Sequence, residues 1–321
     1  MSHIVGQCPK NMERTLVTGG AGFIGSHLAA ALAREGHFVR IIDNLDTGSR
    51  SNVPEGVEFV EGSITDTTLL KKITKGMDYV FHQAARGSVP RSIEDPLGTH
   101  EANSTGTLQV LIAARDAGVK RVICASSSSV YGDTPTLPKV ESMMPQPKSP
   151  YALSKLALEH HCKLFYEVYG LETVALRYFN VYGPKQNPGL QYAAVIPIFI
   201  SRMLRGEACV IYGDGEQTRD FTFVEDCVRA NLLARASAGA RGEVMNIACR
   251  KQISINQLFA LLAAQLNHKK DPVYQPARAG DVKHSFASID KAATLLGYSP
   301  AIDLADGLQK TVEWFHGLLP S

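Results

Sequence analysis

The chain has 321 residues, 45% hydrophobic and 20% charged, with 33 Lys and Arg against 31 Asp and Glu for a net charge of +2. This is the composition of a globular protein with one large domain or two smaller ones, and a balance without like-charge blocks argues against a nucleic-acid track or an anionic membrane surface. No run approaches the ~20 apolar residues of a membrane span, and the opening "MSHIVGQCPKNMER" has no long apolar core; the expectation is a cytoplasmic protein whose partners are small molecules or copies of itself.

In chain order, residues 1–12 precede any strand pattern and read as a terminal tail. Short β-branched runs then alternate with longer helical patterns. "RTLVTG" leads into the helix pattern "IGSHLAAALAREG", "HFVRIIDN" and "VEFVEG" read as strands, and "MDYVFHQ" is followed by "GTLQVLIAARDAG". "RVICASS", the helix pattern "SKLALEHHCKLFYEVYG" and "ETVALRYFN" complete the series. Alternation of apolar strands with helices predicts an α/β protein with a doubly wound parallel sheet of Rossmann type over residues 13–180. After Phe179 the rhythm loosens through "YGPKQNPG" and "GDGEQTRDF", and helix patterns near 224–236, 254–266, 288–296 and 304–315 predict a smaller mixed α/β lobe over 181–321 that mainly faces substrate. "EVMNIA" reads as one more strand, so 224–249 is expected to return to the first domain. Six cysteines, Cys8, Cys124, Cys162, Cys209, Cys227 and Cys249, form no C-x-x-C pair and have no histidine at ligand spacing, which predicts free thiols and no metal site.

"LVTGGAGFIGSHLA" sets Gly19, Gly22 and Gly25 between the first strand and an Ala-rich helix. Residues without a Cβ let the chain turn tightly, let its backbone approach a pyrophosphate and let the helix pack on the sheet. Asp43 ends the second strand, where a carboxylate can accept both hydroxyls of an adenosine ribose and repels a 2′-phosphate, so the expected cofactor is NAD rather than NADP. Tyr151 and Lys155 in "SPYALSK" stand four apart at the head of a helix and share one face. A phenol titrates near pH ~10 and an adjacent ammonium lowers that value. The pair can therefore move a proton at a hydroxyl-bearing carbon while NAD takes the hydride. Ligands of a parallel sheet sit beyond the carboxyl ends of its strands, so the glycine loop, Asp43, "HQAA" and the serines of "ASSSSVYG" are expected to converge.

Together Gly19-x-x-Gly22-x-x-Gly25, "SSSVYG", Tyr151-x-x-x-Lys155 and "RYFNVYGP" resemble the extended short-chain dehydrogenase/reductase superfamily, in its nucleotide-sugar epimerase branch, from about residue 14 to 315. The resemblance implies Tyr151 as the base, Lys155 as the holder of the nicotinamide ribose, and Ser127 as the hydrogen-bond partner of a sugar 4-hydroxyl. Ser128 is the next candidate, and ordinary strand-end hydrogen bonding is expected of Ser126 and Ser129. Further NAD contacts are implied for Phe23, Ile24 and Asn44, for Gln83, Ala84 and Ala85 of "HQAA", and for Asn103 and Tyr178. In "EGSITD", Ser63 stands where relatives usually place an aspartate that meets the adenine amine, so adenine is expected to rest on Ile64 and backbone, with somewhat weaker NAD affinity. Dehydratases and decarboxylases of the superfamily carry acidic residues just before "VYG", where this chain has Ser128 and Ser129. The implied reaction is reversible oxidation at C4 through a 4-keto sugar.

For a UDP-sugar substrate the resemblance implies Asn180 at the diphosphate, Ala194 and Val195 beside the uridine, Tyr212 stacking, Arg219 and Arg278 on phosphate and Asp281 on ribose; two arginines meet a diphosphate in forked geometry. Ser285 falls beside the sugar's C2 group, at a position often tyrosine in enzymes confined to unmodified hexoses, and a serine leaves room for an N-acetyl group. The expectation is a 4-epimerase of UDP-GlcNAc and UDP-GalNAc, and of UDP-Glc and UDP-Gal beside them, with Ser88 touching the sugar. UDP-glucuronate 4-epimerase is the alternative, with Arg86 or Arg91 as the cation for an acidic sugar; a non-catalytic NAD-binding scaffold is the reading outside enzymes. The helices after "EANS" and after Tyr151 carry apolar faces beyond what one sheet requires, and in the family such helices form a dimer seam, so a homodimer is expected.

Overall fold

The computed structural model describes residues 12–189, 194–277 and 283–318. Strands β1 (Arg14–Thr18), β2 (Phe38–Asp43), β3 (Glu58–Glu61), β4 (Tyr79–His82), β5 (Arg121–Ser127), β6 (Glu172–Tyr178) and a last strand Glu243–Ile247 make one seven-stranded sheet in the order Glu243–Ile247, β6, β5, β4, β1, β2, β3. Every neighbouring pair is parallel. Leu16, Val17, Val80, Phe81, Val122 and Ile123 are fully buried, because helices cover both faces; hence the continuous apolar runs in the sequence. The chain winds outward from β1 to β3, crosses back to β4 and winds the other way, and the crevice for a ligand opens at this switch, beyond the carboxyl ends of β1 and β4.

Local chemistry fixes the helices that frame the crevice. Helix Phe23–Arg34 starts from Gly22 without a side-chain cap, which leaves the N–H groups of its first turn pointing into the crevice. Helix Pro150–Tyr169 begins where Ser149 accepts from the Ala152 amide, and stops at Gly170 with φ 69°, the left-handed end that a glycine permits. Between β4 and helix Gly106–Asp116 lie two short helices, Val89–Glu94 and Pro96–His100, and a π-helical turn Glu101–Thr105; the hydrophobic pattern carries no signal for them.

Strand Glu243–Ile247 pairs with β6, Met245 opposite Leu176, and Cys227, Val228, Ala230 and Ala234 of helix Val224–Ala236 join the sheet's core beside Val17 and Leu28. A second core holds Phe199, Ile200, Ile211, Phe223, Leu258, Leu308 and Phe315. Cys124, Cys162, Cys209, Cys227 and Cys249 are free; Cys8 lies outside the described residues. Among the described residues no helix is long and apolar enough to cross a membrane.

Candidate active site

A cavity of about 740 Å³ lies beyond the carboxyl ends of the strands, walled by Gly19 and Gly22 to Gly25, by Asp43 and Asn44, by Ser63 and Ile64, by Gln83, Ala84 and Ala85, and by Tyr151, Lys155 and Tyr178. Its floor demands glycine. Gly19 has φ +69°, and a Cβ there would sit 2.6 Å from the Ala84 amide nitrogen; one on Gly25 would sit 2.2 Å from the Gly19 carbonyl oxygen. Both obstacles are backbone and cannot swing aside. Asp43 accepts from the Ala21 amide at 3.0 Å and the Leu45 amide at 2.8 Å, so one carboxylate orders the glycine loop and the loop after β2. A Cβ-free turn, an uncapped helix start and an acid at the end of β2 fit the pyrophosphate and ribose of a dinucleotide.

Behind this wall lie polar side chains that no motif announces. Asn231, fully buried on helix Val224–Ala236, donates to the Tyr178 hydroxyl at 2.8 Å and accepts from Gln83 Nε2 at 3.1 Å. Two cavity residues are thereby fixed by a third outside it. His82 of "HQAA" is bonded to Thr18 at 2.8 Å and Thr107 at 2.9 Å, and burial drives its pKa down to about 3, so the ring is neutral and structural. Asn103, expected against NAD, is not among the wall residues; it accepts from the Arg86 amide at 2.8 Å and donates to Ser154 Oγ at 3.0 Å. Its amide is satisfied within the protein, and its effect on a ligand runs through the chain it holds.

Ser127, Tyr151 and Lys155 come together at the end of β5. Ser127 Oγ accepts from the Ser129 amide at 3.2 Å and is hydrogen-bonded to the Tyr151 phenol; burial pushes that phenol up and the Ser127 bond acts against the rise. Lys155 Nζ donates to the Ala125 carbonyl at 2.7 Å and lies 5.9 Å from the centre of the Tyr151 ring. Burial lowers its pKa to about 8, because an ammonium loses hydration there. Ser126 donates to Glu159 at 2.5 Å, and Glu159 is ion-paired with Arg177 at 2.7 Å; this serine belongs to a buried structural network, although it also faces the cavity. Ser128 opens a 3-10 turn through Tyr131. Ser129 departs from expectation: its hydroxyl is buried and has no partner among the described residues. The "VYG" that follows is explained by packing, since Val130 and Tyr131 are core and a Cβ on Gly132 would meet the Gln146 carbonyl at 2.0 Å.

A second cavity, of about 610 Å³, is lined by Asn180, Ala194, Val195, Tyr212 and Arg219, and also by Arg202, Gln217 and Gln275, which sequence reasoning did not single out. Asn180 has φ +37°, a conformation unusual for a residue with a side chain, and donates to the Asp220 carbonyl at 2.9 Å and to Ser285 Oγ at 3.1 Å. Asp220 is fully buried and accepts from the Cys249 amide at 2.9 Å; burial pushes its carboxyl up to about 6. Ser285 is tied to Thr218 by its amide at 3.0 Å and is not among the lining residues of either cavity. Arg278 and Asp281 lie outside the described residues. Ser88 faces the first cavity and caps helix Val89–Glu94 by accepting from the Arg91 amide at 3.2 Å.

The profile of the NAD dependent epimerase/dehydratase family matches residues 15–248. The chain belongs to that family. It is an NAD-dependent enzyme, and it stands with the family's UDP-sugar 4-epimerases. A UDP-glucose 4-epimerase of Mycolicibacterium smegmatis is 38% identical over 309 residues, covering 94% of this chain and 98% of that protein. The solved UDP-N-acetylglucosamine 4-epimerase of Methanobrevibacter ruminantium M1, in complex with UDP-N-acetylmuramic acid, is 42% identical with a TM-score of 0.93, over 97% of this chain and 100% of that one. The UDP-glucuronic acid 4-epimerase of Bacillus cereus, in complex with UDP-glucuronic acid and NAD, is 34% identical with a TM-score of 0.89, over 95% and 100%. The first cavity of this family member has the lining that fits a dinucleotide.

Proposed function

We propose that the protein inverts C4 of UDP-N-acetylhexosamines, interconverting UDP-GlcNAc and UDP-GalNAc, and accepts UDP-Glc and UDP-Gal beside them. Tyr151 takes the proton of the sugar 4-hydroxyl, which Ser127 holds, and the nearby Lys155 ammonium favours the phenolate. NAD supplies a hydride acceptor and donor. Tyr151 would hold the O4 proton while the 4-keto sugar exists and return it once the ring has turned over, hydride being exchanged reversibly at C4, so nothing would be consumed. Ser128 and Ser129 offer no acid for elimination beside Tyr151. The observation that supports the choice of substrate is Ser285, a small residue whose hydroxyl accepts from Asn180 at 3.1 Å; it lines neither cavity itself and bears on the second through Asn180, which does. Against a uronate, Arg86 and Arg91 already face carboxylates, Asp95 at 2.8 Å and Asp46 at 3.1 Å.

Incubating purified protein with UDP-GlcNAc, UDP-Glc or UDP-GlcA, without added NAD, and resolving the C4 epimers tests the reading. Turnover of UDP-GlcA alone would replace it. A homodimer is part of the proposal, supported by the exposed apolar side chains of Leu153, Leu164 and Val168 on helix Pro150–Tyr169, whereas helix Gly106–Asp116 after "EANS" exposes none of the large apolar side chains; light scattering at the mass of one chain would remove that part.

A further inference from the structure

We propose that Asp46, Arg86 and Arg91 form an ion-pair latch across the mouth of the dinucleotide cavity and set how slowly NAD leaves. Strand β1 lies between β4 and β2, so its glycine loop is flanked by the chain leaving β2 on one side and the chain leaving β4 on the other. Asp46 stands on the first chain, Arg86 and Arg91 on the second, and all three face the cavity. Arg86 Nε is 3.4 Å and Arg91 Nη2 is 3.1 Å from the same Asp46 oxygen. A bond between those two loops has to pass over the glycine loop, and so over the pyrophosphate of a dinucleotide seated on it.

Both posts of the latch are fixed. On the Asp46 side, the Ser49 amide and Asn52 Nδ2 each donate to the Ala21 carbonyl of the glycine loop at 3.0 Å. On the other side, Asn103 holds the Arg86 backbone at 2.8 Å and 3.2 Å, and Asp95 holds the Arg86 guanidinium at 2.8 Å. The movable joint is the carboxylate of Asp46, one third exposed, where salt can compete with the arginines. An enzyme that takes hydride and returns it to the same substrate has no need to exchange its cofactor between turnovers; that use of the latch rests on the proposed epimerisation, whereas the latch itself needs only NAD.

The test is the release of NAD from holoenzyme, with no sugar nucleotide present, so that failure of the latch and failure of the epimerase reading are separate results. Holoenzyme is mixed with excess alcohol dehydrogenase and ethanol, and the NADH made from released NAD is followed by absorbance. Asp46→Asn is expected to release NAD about five- to tenfold faster, the scale of two partly exposed ion pairs lost together. Wild-type release is expected to quicken with added NaCl, and that of the variant to be nearly indifferent to it. Arg91→Gln gives the same readout should Asp46→Asn fail to fold. Release rates equal to wild type in a variant with wild-type melting, or a salt dependence that survives the substitution, would overturn the proposal.

Discussion

The two cavities are built in opposite ways. The first cavity, proposed for the dinucleotide, is walled by loops that each leave the carboxyl end of a strand in one sheet: Gly19 to Gly25 after β1, Asp43 and Asn44 after β2, Ser63 and Ile64 after β3, Gln83 to Ser88 after β4. The second cavity draws on residues 180–182, 194–202, 210–221, 255 and 275, segments brought together by a separate core around Phe199 and Phe223. Where the sheet itself sets position, a side chain's place in the sequence is nearly its place in space. Where five distant segments converge, composition and spacing say little about which side chains meet. The two sites should accordingly fail separately; Val181 lines both, whereas Tyr151 lines the first alone.

The largest effect is expected at Tyr151. Tyr151→Phe removes the hydroxyl that exchanges the proton and should lower kcat by about 10³-fold, within the usual worth of a positioned acid or base, while NAD still co-purifies. Full epimerisation by this variant would end the catalytic assignment. Next come paired changes, one in each cavity. Gly25→Ala puts a Cβ 2.2 Å from the Gly19 carbonyl and should leave the protein unable to retain NAD, because neither backbone can yield. Arg219→Ala should retain NAD and raise KM for the UDP-sugar by about tenfold or more, the scale of a charge-assisted phosphate bond. Calorimetric titration with NAD and with UDP, separately, distinguishes them; if each variant weakened both ligands alike, the cavities would not be independent.

The same contrast explains what could be read in advance. The glycine spacing, Asp43, Tyr151 and Lys155 were legible because each follows from a rule of local geometry: a turn with φ above zero, an acid at a strand end, two side chains four apart on a helix. Glu243–Ile247 was legible as a strand from its β-branched pattern. Asn231 was not, because an Asn within the helix pattern "VEDCVRANLLARA" looks like any polar helix residue until tertiary packing places it beside Gln83 and Tyr178. The serine string was legible only in part. Four identical side chains end as a partner of Glu159, a partner of Tyr151, the opening of a 3-10 turn and an orphan hydroxyl, and only the bend of the chain after Ser127 separates these fates.

A smaller effect is expected in the pH profile. Lys155 titrates at about 8 in the folded protein, below its ordinary 10.5. The folded state sheds this proton first, so between those values the unfolded chain binds more protons and this group's contribution to stability rises with pH; the penalty of burying the ammonium is fully felt below about 8. Activity has the opposite sense, because the ammonium that favours the Tyr151 phenolate is lost as pH rises through about 8. The rate should fall by about tenfold per pH unit on that limb, and Lys155→Met should be slow throughout and lack it. A wild-type rate that climbs steadily to pH 10 would contradict the role given to Lys155.

The smallest effect tests whether the polar network behind the dinucleotide wall serves the ligand or only the fold. In Asn231→Leu the volume is kept, but Gln83 Nε2 loses an acceptor at 3.1 Å and the Tyr178 hydroxyl a donor at 2.8 Å, and the Cys227 carbonyl loses a donor at 2.8 Å. Leaving buried partners unsatisfied costs about 1–3 kcal/mol, enough to lower the melting temperature by several degrees. Gln83 and Tyr178 can still bond to each other, at 3.2 Å, so the wall should loosen rather than collapse, and NAD affinity should drop only severalfold. Melting curves with and without NAD separate the two roles: a variant destabilised more in the holo form than in the apo form has lost a support for the cofactor. Equal destabilisation in both would confine Asn231 to holding the helix Val224–Ala236 on the sheet, and the dinucleotide side would then need nothing beyond the residues its own strand ends supply.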